Sequence, residues 1–150
     1  GGVLSAGSTR LEAAGKFGVP AIVTPGCLDM VNFGARATVP SQFEGRNFYV
    51  HNPQVTLMRT TPEECAQLGR ILAEKVNAYK CPVTVLLPTK AISIISASGQ
   101  PFYDPDADQA LFNAIKVNLS PSIEMIEVDT EIYAPEFSEA CAQALLKNLG

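Results

Sequence analysis

The chain has 150 residues, 47% of them hydrophobic and 17% charged, so it is long enough to bury a core and too apolar to be a disordered segment. Its formal net charge of −4, with only 11 Lys and Arg and no basic cluster, argues against a nucleic-acid-binding surface. No apolar run reaches the roughly 20 residues that cross a bilayer, and the N-terminus lacks a signal-peptide pattern, so we expect a soluble, cytoplasmic protein without a membrane contact.

Short runs rich in Val, Ile and Leu predict five strands. These runs are residues 2–5, 21–24, 47–50, 83–87 and 123–128. The runs around Ile22 and Val85 are apolar without alternation, which is typical of strands that are covered on both faces of a parallel sheet.

Helical patterns lie between these strands. The clearest start signal is Thr61-Pro62-Glu63-Glu64, in which Thr61 can cap the helix, Pro62 fits the first turn and Glu64 can complete a capping box. The other predicted helices are residues 8–16, one opened by the acids Asp104 and Asp106, and one that begins near Pro135.

The alternation of strands and helices predicts βαβ units. We therefore predict a single α/β domain over residues 1–150, with a Rossmann-like, doubly wound, mostly parallel sheet and helices on both faces. The four cysteines are widely spaced and there is one histidine, so we predict free, buried thiols and no metal site.

Open α/β sheets bind ligands at the carboxyl edge, where the loops after parallel strands meet. After the first predicted strand, Ser5 and Gly7 precede a predicted helix start, where free N–H groups can hold an anion. A plain tight turn is an equally good reading of this loop. After the second strand, Asp29 and Asn32 can orient a ligand or satisfy their own backbone, while Cys27 has no basic neighbour to make it a nucleophile.

The run HNPQVTLMRTT follows the third predicted strand, and we expect it to cross the carboxyl edge as a loop. His51, Asn52, Arg59 and Thr60 are the predicted cleft residues. Arg59 lies near the positive end of the next helix, so we expect it to contact an anion. The alternatives are that His51 bonds only to backbone, and that Arg59 forms a surface ion pair with Glu63.

Four segments together resemble a known family: GGVLSAG, PGCLDMVNFG, HNPQVTLMRTTPEE and GQPFYDPDAD, in this order. They resemble the C-terminal half of the tomato mosaic virus resistance protein-like family of two-domain, ATP-binding proteins. The resemblance implies that this chain is the C-terminal lobe of a larger protein whose N-terminal lobe makes most nucleotide contacts. It thus implies ATP as a possible ligand of the intact protein and no cofactor in this fragment. Ser96 stands in a stretch where the resemblance implies an acid, which puts a catalytic role of that loop in doubt.

The leading hypothesis is a lobe that binds a nucleotide or a small anionic metabolite in a cleft shared with the N-terminal lobe. One alternative is an enzyme acting on a phosphorylated or carboxylated metabolite through His51 and Arg59. The other is a self-association module. We expect a homo-oligomer in each case.

Overall fold

Residues 2–150, the part of the chain that the computed structural model describes, form two sheets and four α-helices. The strands are β1 (Ala21–Val23), β2 (Met30–Phe33), β3 (Phe48–Asn52), β4 (Val55–Arg59), β5 (Val83–Pro88) and β6 (Glu124–Val128). The helices are α1 (Ala13–Phe17), α2 (Pro62–Asn77), α3 (Pro105–Asn118) and α4 (Pro135–Leu149), with short 3₁₀ turns at Arg36–Thr38, Ser41–Phe43 and Ile94–Ser96.

The first sheet is parallel, with the strand order β1-β5-β6. Its central strand β5 is buried at every residue, and its Val85 aligns with Val23 on one side and with Met125 on the other. A strand that is bonded along both edges and covered on both faces requires a nearly continuous apolar run, which the sequence VTVLLP supplies. The predicted strands at residues 21–24, 83–87 and 123–128 are confirmed.

The second sheet is antiparallel, with the order β2-β4-β3. Strands β3 and β4 form a hairpin with Pro53 and Gln54 at its turn. The Gln54 amide donates a hydrogen bond to Asn52 Oδ1 (2.9 Å), so a side chain satisfies the backbone of the turn. β4 lies in the centre of the sheet and is buried from Thr56 to Arg59.

The predicted doubly wound, mostly parallel sheet is therefore only partly correct. The α/β class and three parallel strands are confirmed, but the strand at residues 47–50 belongs to the antiparallel sheet, and the loop expected to cross the carboxyl edge contains β4. β4 is hard to recognise because Thr56 and Arg59 interrupt its short apolar run. The turn before it also lacks the glycine that marks most two-residue hairpins.

The predicted strand at residues 2–5 does not form. The Val3 amide donates to the Asn32 carbonyl (2.8 Å) at the edge of β2, which is not part of the parallel sheet. A Cβ on Gly2 would come within 2.6 Å of Val31 Cγ1 and 2.8 Å of the Asn32 carbonyl oxygen, so the close approach to β2 requires glycine.

Both strong helix starts are confirmed. Thr61 Oγ1 accepts from the Glu64 amide (3.3 Å), and the Thr61 amide donates to Glu64 Oε2 (2.8 Å), which completes the capping box. Asp104 caps α3 by accepting from the Ala107 amide (3.0 Å). The predicted helix at residues 8–16 is shorter, because α1 begins only at Ala13.

Helices α2 and α3 pack closely on each other and on the parallel sheet. A Cβ on Gly69 would come within 2.6 Å of the Leu111 carbonyl oxygen, so the two helices can approach this closely only at glycine. Val85 packs in this core, whereas the next residue, Leu86, packs with Phe137 of α4 in a second cluster. Among residues 2–150, no helix combines the length and apolarity that spanning a bilayer requires.

The four cysteines are free thiols. The prediction that all four are buried is wrong, because Cys65 is buried, Cys81 and Cys141 are half-buried and Cys27 is exposed. Cys27 lies in the loop after β1 and adopts the left-handed backbone conformation (φ 59°).

Candidate functional site

Residues 2–12 form an irregular segment, which we name the strap, and Lys75 of α2 holds it in place. The Lys75 ammonium donates to the carbonyls of Ser8 and Arg10 (2.9 Å to Arg10) and to Glu12 Oε1 (2.6 Å). All three donors of the ammonium are thus used inside the protein. Lys75 therefore positions the strap and leaves no donor for a ligand.

The strap also stores backbone strain at Leu11, a non-glycine residue in the left-handed conformation (φ 69°). Such a conformation costs on the order of 1–2 kcal/mol. The Tyr79 hydroxyl donates to the Leu11 carbonyl (2.6 Å), and the Leu11 side chain packs on the main core. These contacts hold the C-terminal part of the strap against α2.

Two adjoining cavities lie between the strap, the loop after β1 and α2. The larger cavity has a volume of about 600 Å³ and a lining that is half polar and half apolar; we call it the polar cavity for its Ser5, Arg10, Cys27 and Asn32, beside which Leu4, Met30 and Val31 also line it. The smaller, mainly apolar cavity has a volume of about 260 Å³ and is lined by Leu11, Leu28, Leu68, Ile71, Leu72 and neighbouring residues. Arg10, Gly26, Leu28 and Leu68 line both cavities. We treat them as one site, the strap cleft, at the carboxyl end of β1 where α/β sheets bind ligands.

Arg10 gives the strap cleft its charge. The Arg10 guanidinium makes no hydrogen bond or ion pair within residues 2–150, and Glu12, the acid nearest to it in sequence, is bonded to Lys75. Within the described part of the chain, no acidic residue lines either cavity. Among residues 2–150, no three His, Cys, Asp or Glu side chains are placed to hold a metal ion together. The cleft therefore offers a planar cation suited to a carboxylate or a phosphate.

The residues predicted at the first two loops reach this cleft in part. Ser5 and Asn32 line the polar cavity, and Gly7 lines the apolar one. The predicted helix start beside Gly7 is wrong, because α1 has five residues and begins at Ala13. In the part of the chain that the structure describes, no helix N-terminus near Gly7 can therefore bind an anion. The positive charge that an anion would need at this cleft comes from Arg10.

Arg59 has a different environment, since it is 4% exposed. Its guanidinium donates to Asp108 Oδ1 (2.6 Å), to the Phe102 carbonyl (3.0 Å) and to the Asp104 carbonyl (3.2 Å). A further bond reaches Thr60 Oγ1 (3.2 Å). The predicted alternative partner, Glu63, is not among these acceptors. Arg59 thus joins β4 to the start of α3, and its donors are occupied by the protein.

Asp29 and Thr60 lie in the same buried layer. The Thr60 amide donates to the Asp29 carbonyl (3.0 Å), and Asp29 Oδ2 accepts from Ser93 Oγ (2.6 Å). Asp29 Oδ1 is buried and has no hydrogen-bond partner within the described residues. Burial raises the pKa of Asp29, although the Ser93 bond and the charge of Arg59 oppose this rise. Burial likewise raises the pKa of Asp108, with Arg59 opposing it.

His51 and Asn52 lie at the tip of the β3–β4 hairpin and are exposed. The His51 ring lies 6.3 Å from the Tyr49 ring, centroid to centroid. The Asn52 side chain accepts the Gln54 amide in the turn. β4 separates their strand from β2, whose Asn32 lines the cleft. The eight predicted ligand residues therefore divide among the cleft, the buried layer and the hairpin tip.

Polar groups in the long loop after β5 form hydrogen bonds with one another. Ser96 Oγ accepts from the amides of Ile92 (3.1 Å) and Ser93 (3.0 Å), so the hydroxyl that replaces the expected acid closes a turn. Lys90, an exposed loop residue, forms an ion pair with Asp129 (2.8 Å). Neither residue points to a reaction at this loop.

Sequence reasoning missed the two residues on which the cleft depends. Arg10 lies three positions after Gly7, in the loop for which the sequence predicted anion binding, so a charged residue there was a usable signal. Lys75 could not be found this way, because it lies in the last turn of a helix far from the strap in sequence. Its role depends on carbonyl positions that only the folded chain creates.

Comparisons with known proteins agree with the resemblance. Residues 1–149 match the family described as "Uncharacterised protein family (UPF0261) C-terminal domain". The chain is 46% identical to a UPF0261 protein of Clostridium tetani over 147 residues, which is 97% of this chain and 36% of that protein. A UPF0261 protein of Rhizobium meliloti is 44% identical over 96% of this chain and 37% of its own length. The ToMV resistance protein Tm-1 of Solanum lycopersicum is 37% identical over 98% of this chain and 20% of its own length. The chain thus spans about a third of the length of these bacterial relatives.

Proposed function

The chain belongs to the uncharacterised protein family UPF0261, as its C-terminal domain, and we propose that it binds a small anionic metabolite in the strap cleft. The proposal makes this domain one lobe of a two-lobed binding protein. The ligand's anionic group contacts Arg10, and the neutral polar groups of Ser5 and Asn32 orient it.

One observation carries this proposal: Arg10, whose guanidinium has no hydrogen-bond or ion-pair partner among the described residues, lines a cavity at the carboxyl end of a parallel strand. An exposed arginine on a convex surface would not support a site. Here the strap is fixed by Lys75, by the Tyr79 bond to the Leu11 carbonyl and by the packing of Leu11 on the core, so the Arg10 backbone is held in place before a ligand arrives. Preorganisation of this kind reduces the entropy that binding costs.

We further propose that the rest of the family protein covers the strap cleft. Val3 (64% exposed) and Leu4 (76% exposed) are large apolar side chains on the surface of the strap, and Leu4 lines the polar cavity. The relatives contain a further two thirds of their length that could bury these side chains. Because the resemblance implies that the other lobe makes most nucleotide contacts, we expect this domain alone to bind ATP weakly. Calorimetry showing micromolar ATP affinity for residues 1–150 would contradict that expectation.

A catalytic pair of His51 and Arg59 has less support. His51 is exposed at the hairpin tip, whereas Arg59 is buried and bonded to Asp108 of α3. One substrate could not contact both without a rearrangement of the hairpin. We therefore propose binding rather than catalysis for this domain.

The experiment that tests the proposal is a titration with inorganic phosphate, followed by NMR chemical shifts. We expect the amides of the strap and of Asn32 to shift in a saturable way. Arg10→Gln should weaken this binding by about 1.5–3 kcal/mol, the range for hydrogen bonds to a charged group. Arg70→Gln, which removes the same charge from an exposed position on α2, is the matched control and should leave the affinity unchanged. Equal loss of affinity in both variants would mean that phosphate responds only to net charge, and the proposal would fail.

A further inference from the structure

We infer that the ligand of the strap cleft carries a single anionic group joined directly to a compact apolar group, such as an aromatic ring or a branched chain. This inference rests on the proposed function and specifies its ligand class. The anionic group contacts Arg10 at the border of the two cavities, and the apolar group enters the smaller cavity.

The smaller cavity has the walls and the size for such a group. Its side walls are aliphatic side chains on three elements: Leu11 of the strap, Leu28 after β1, and Leu68, Ile71 and Leu72 of α2. Its volume is about 260 Å³. A dry apolar cavity of roughly 150 Å³ already accommodates benzene, so a phenyl ring fits with room for its link to the anionic group.

The charges around the cleft limit the ligand to one anionic group. Arg10 and Lys75 are the cationic residues that line the two cavities. The Lys75 ammonium has its three donors on Ser8, Arg10 and Glu12, and it forms an ion pair with Glu12. Among the described residues that line the cleft, one cation is left without a partner, so a second phosphate on the same ligand would meet no compensating charge there.

The position of Arg10 links the two requirements. Arg10 lines both cavities, so an anion bound to its guanidinium lies beside the opening into the apolar one. A ligand with only the anion would leave the leucine walls in contact with water. A ligand with an attached apolar group removes that surface from water, at roughly 25 cal/mol per Å² of apolar area.

The test compares phenyl phosphate with methyl phosphate, which have the same anionic group and differ in the apolar one. We expect the wild-type protein to bind phenyl phosphate more tightly, on the order of tenfold or more, from the burial of the ring. Methyl resonances of Leu68 and Ile71 should shift with phenyl phosphate and not with methyl phosphate.

The variant Ile71→Trp places a large side chain at the mouth of the apolar cavity, where Ile71 is 39% exposed and can be enlarged without unfolding the core. It should abolish the preference for phenyl phosphate and keep the affinity for methyl phosphate. Val117→Trp, on α3 where Val117 is 82% exposed, is the control and should keep the preference.

The outcomes separate the two proposals. If both esters bind with equal affinity through Arg10, the anion site stands and the inference about the apolar group is overturned. The same holds if phenyl phosphate is preferred but Ile71→Trp leaves the preference intact, because the ring then binds elsewhere. If neither ester binds, the proposed function fails together with the inference.

Discussion

Arg59 and Arg10 show how one residue type takes opposite roles in two regions of this molecule. Arg59 lies in the buried layer between β4 and α3, is 4% exposed and donates to several protein acceptors. Arg10 lies on the strap, is exposed and has no side-chain partner within residues 2–150. The first holds two elements of the fold together, and the second is free to hold something else.

The comparison shows that an arginine beside a predicted ligand edge is not enough to identify a site. The informative property is whether its donors are satisfied by the protein, because a buried guanidinium that lacks acceptors is too costly to keep. Arg59 has acceptors and Arg10 has none among residues 2–150, so removing each should affect a different property of the protein.

The largest expected effect is on stability. Arg59→Ala leaves Asp108 buried without its partner and removes the bonds to the Phe102 and Asp104 carbonyls, so the free energy of unfolding should fall by about 3–5 kcal/mol. Urea denaturation measures this change. Arg70→Ala, at an exposed position, should stay within about 0.5 kcal/mol of the wild type. A loss below about 1 kcal/mol for Arg59→Ala would break the comparison, because Arg59 would not be structural.

A smaller effect is expected at the residue that holds the strap. Lys75→Met keeps the apolar part of the side chain but removes the bonds to Ser8, Arg10 and Glu12, so the strap should loosen at a cost of about 1–2 kcal/mol. Hydrogen exchange should become faster at strap amides and stay unchanged in β5. The control Lys147→Met removes an exposed ion pair with Glu124, and we expect it to cost less than about 1 kcal/mol. Unchanged exchange in the strap would show that Lys75 does not position Arg10.

The buried layer also predicts a pH dependence of stability, through Asp29. Burial raises the pKa of Asp29, so the folded protein keeps a proton that the unfolded chain has already lost. The contribution of Asp29 to stability is therefore present at low pH and is lost as the pH rises from the ordinary aspartate pKa, about 3.9, through the raised folded pKa. Asp29→Asn should flatten the decline of the unfolding free energy over this window. If the variant and the wild type decline in parallel, Asp29 does not hold the extra proton.

The smallest expected effect concerns the hairpin tip. His51 is exposed and its ring lies only near Tyr49, so His51→Ala should change the free energy of unfolding by no more than about 0.5 kcal/mol. It should also leave phosphate affinity unchanged, in contrast to Arg10→Gln. An affinity loss in His51→Ala comparable to that in Arg10→Gln would extend the site to the hairpin.

The elements that sequence predicted well are those with local causes. The start of α2 follows from Thr61, Pro62 and Glu64, which lie within one turn, and the burial of β5 follows from an apolar run that needs no partner to be recognised. The antiparallel sheet was missed because β4 carries two buried polar residues, Thr56 and Arg59, and the burial of Arg59 is compensated by residues far along the chain. The buried charge of Arg59 is tolerated in a central strand because the carboxylate of Asp108, 49 residues later, pairs with it.

In the candidate site, too, the sequence predicted loops that contribute but not which way each side chain points. Three residues predicted to bind a ligand, from the loops after predicted strands, line the cleft: Ser5, Gly7 and Asn32. Asp29 and Thr60 were predicted from the same kind of loop but point into the buried layer. Sequence position alone does not give the direction of a side chain in a loop, whereas hydrogen bonds such as that from Ser93 to Asp29 decide it.

The most direct test of this division of roles is the thermal unfolding of the wild type, Arg10→Gln and Arg59→Lys, each with and without phosphate at matched ionic strength. Ligand binding raises the melting temperature only in proteins that keep the site. We predict that Arg10→Gln melts at the wild-type temperature without phosphate and loses the phosphate-dependent rise. Arg59→Lys should melt earlier and keep the rise. The opposite pattern, an early-melting Arg10→Gln that still responds to phosphate and a stable Arg59→Lys that does not, would contradict the account.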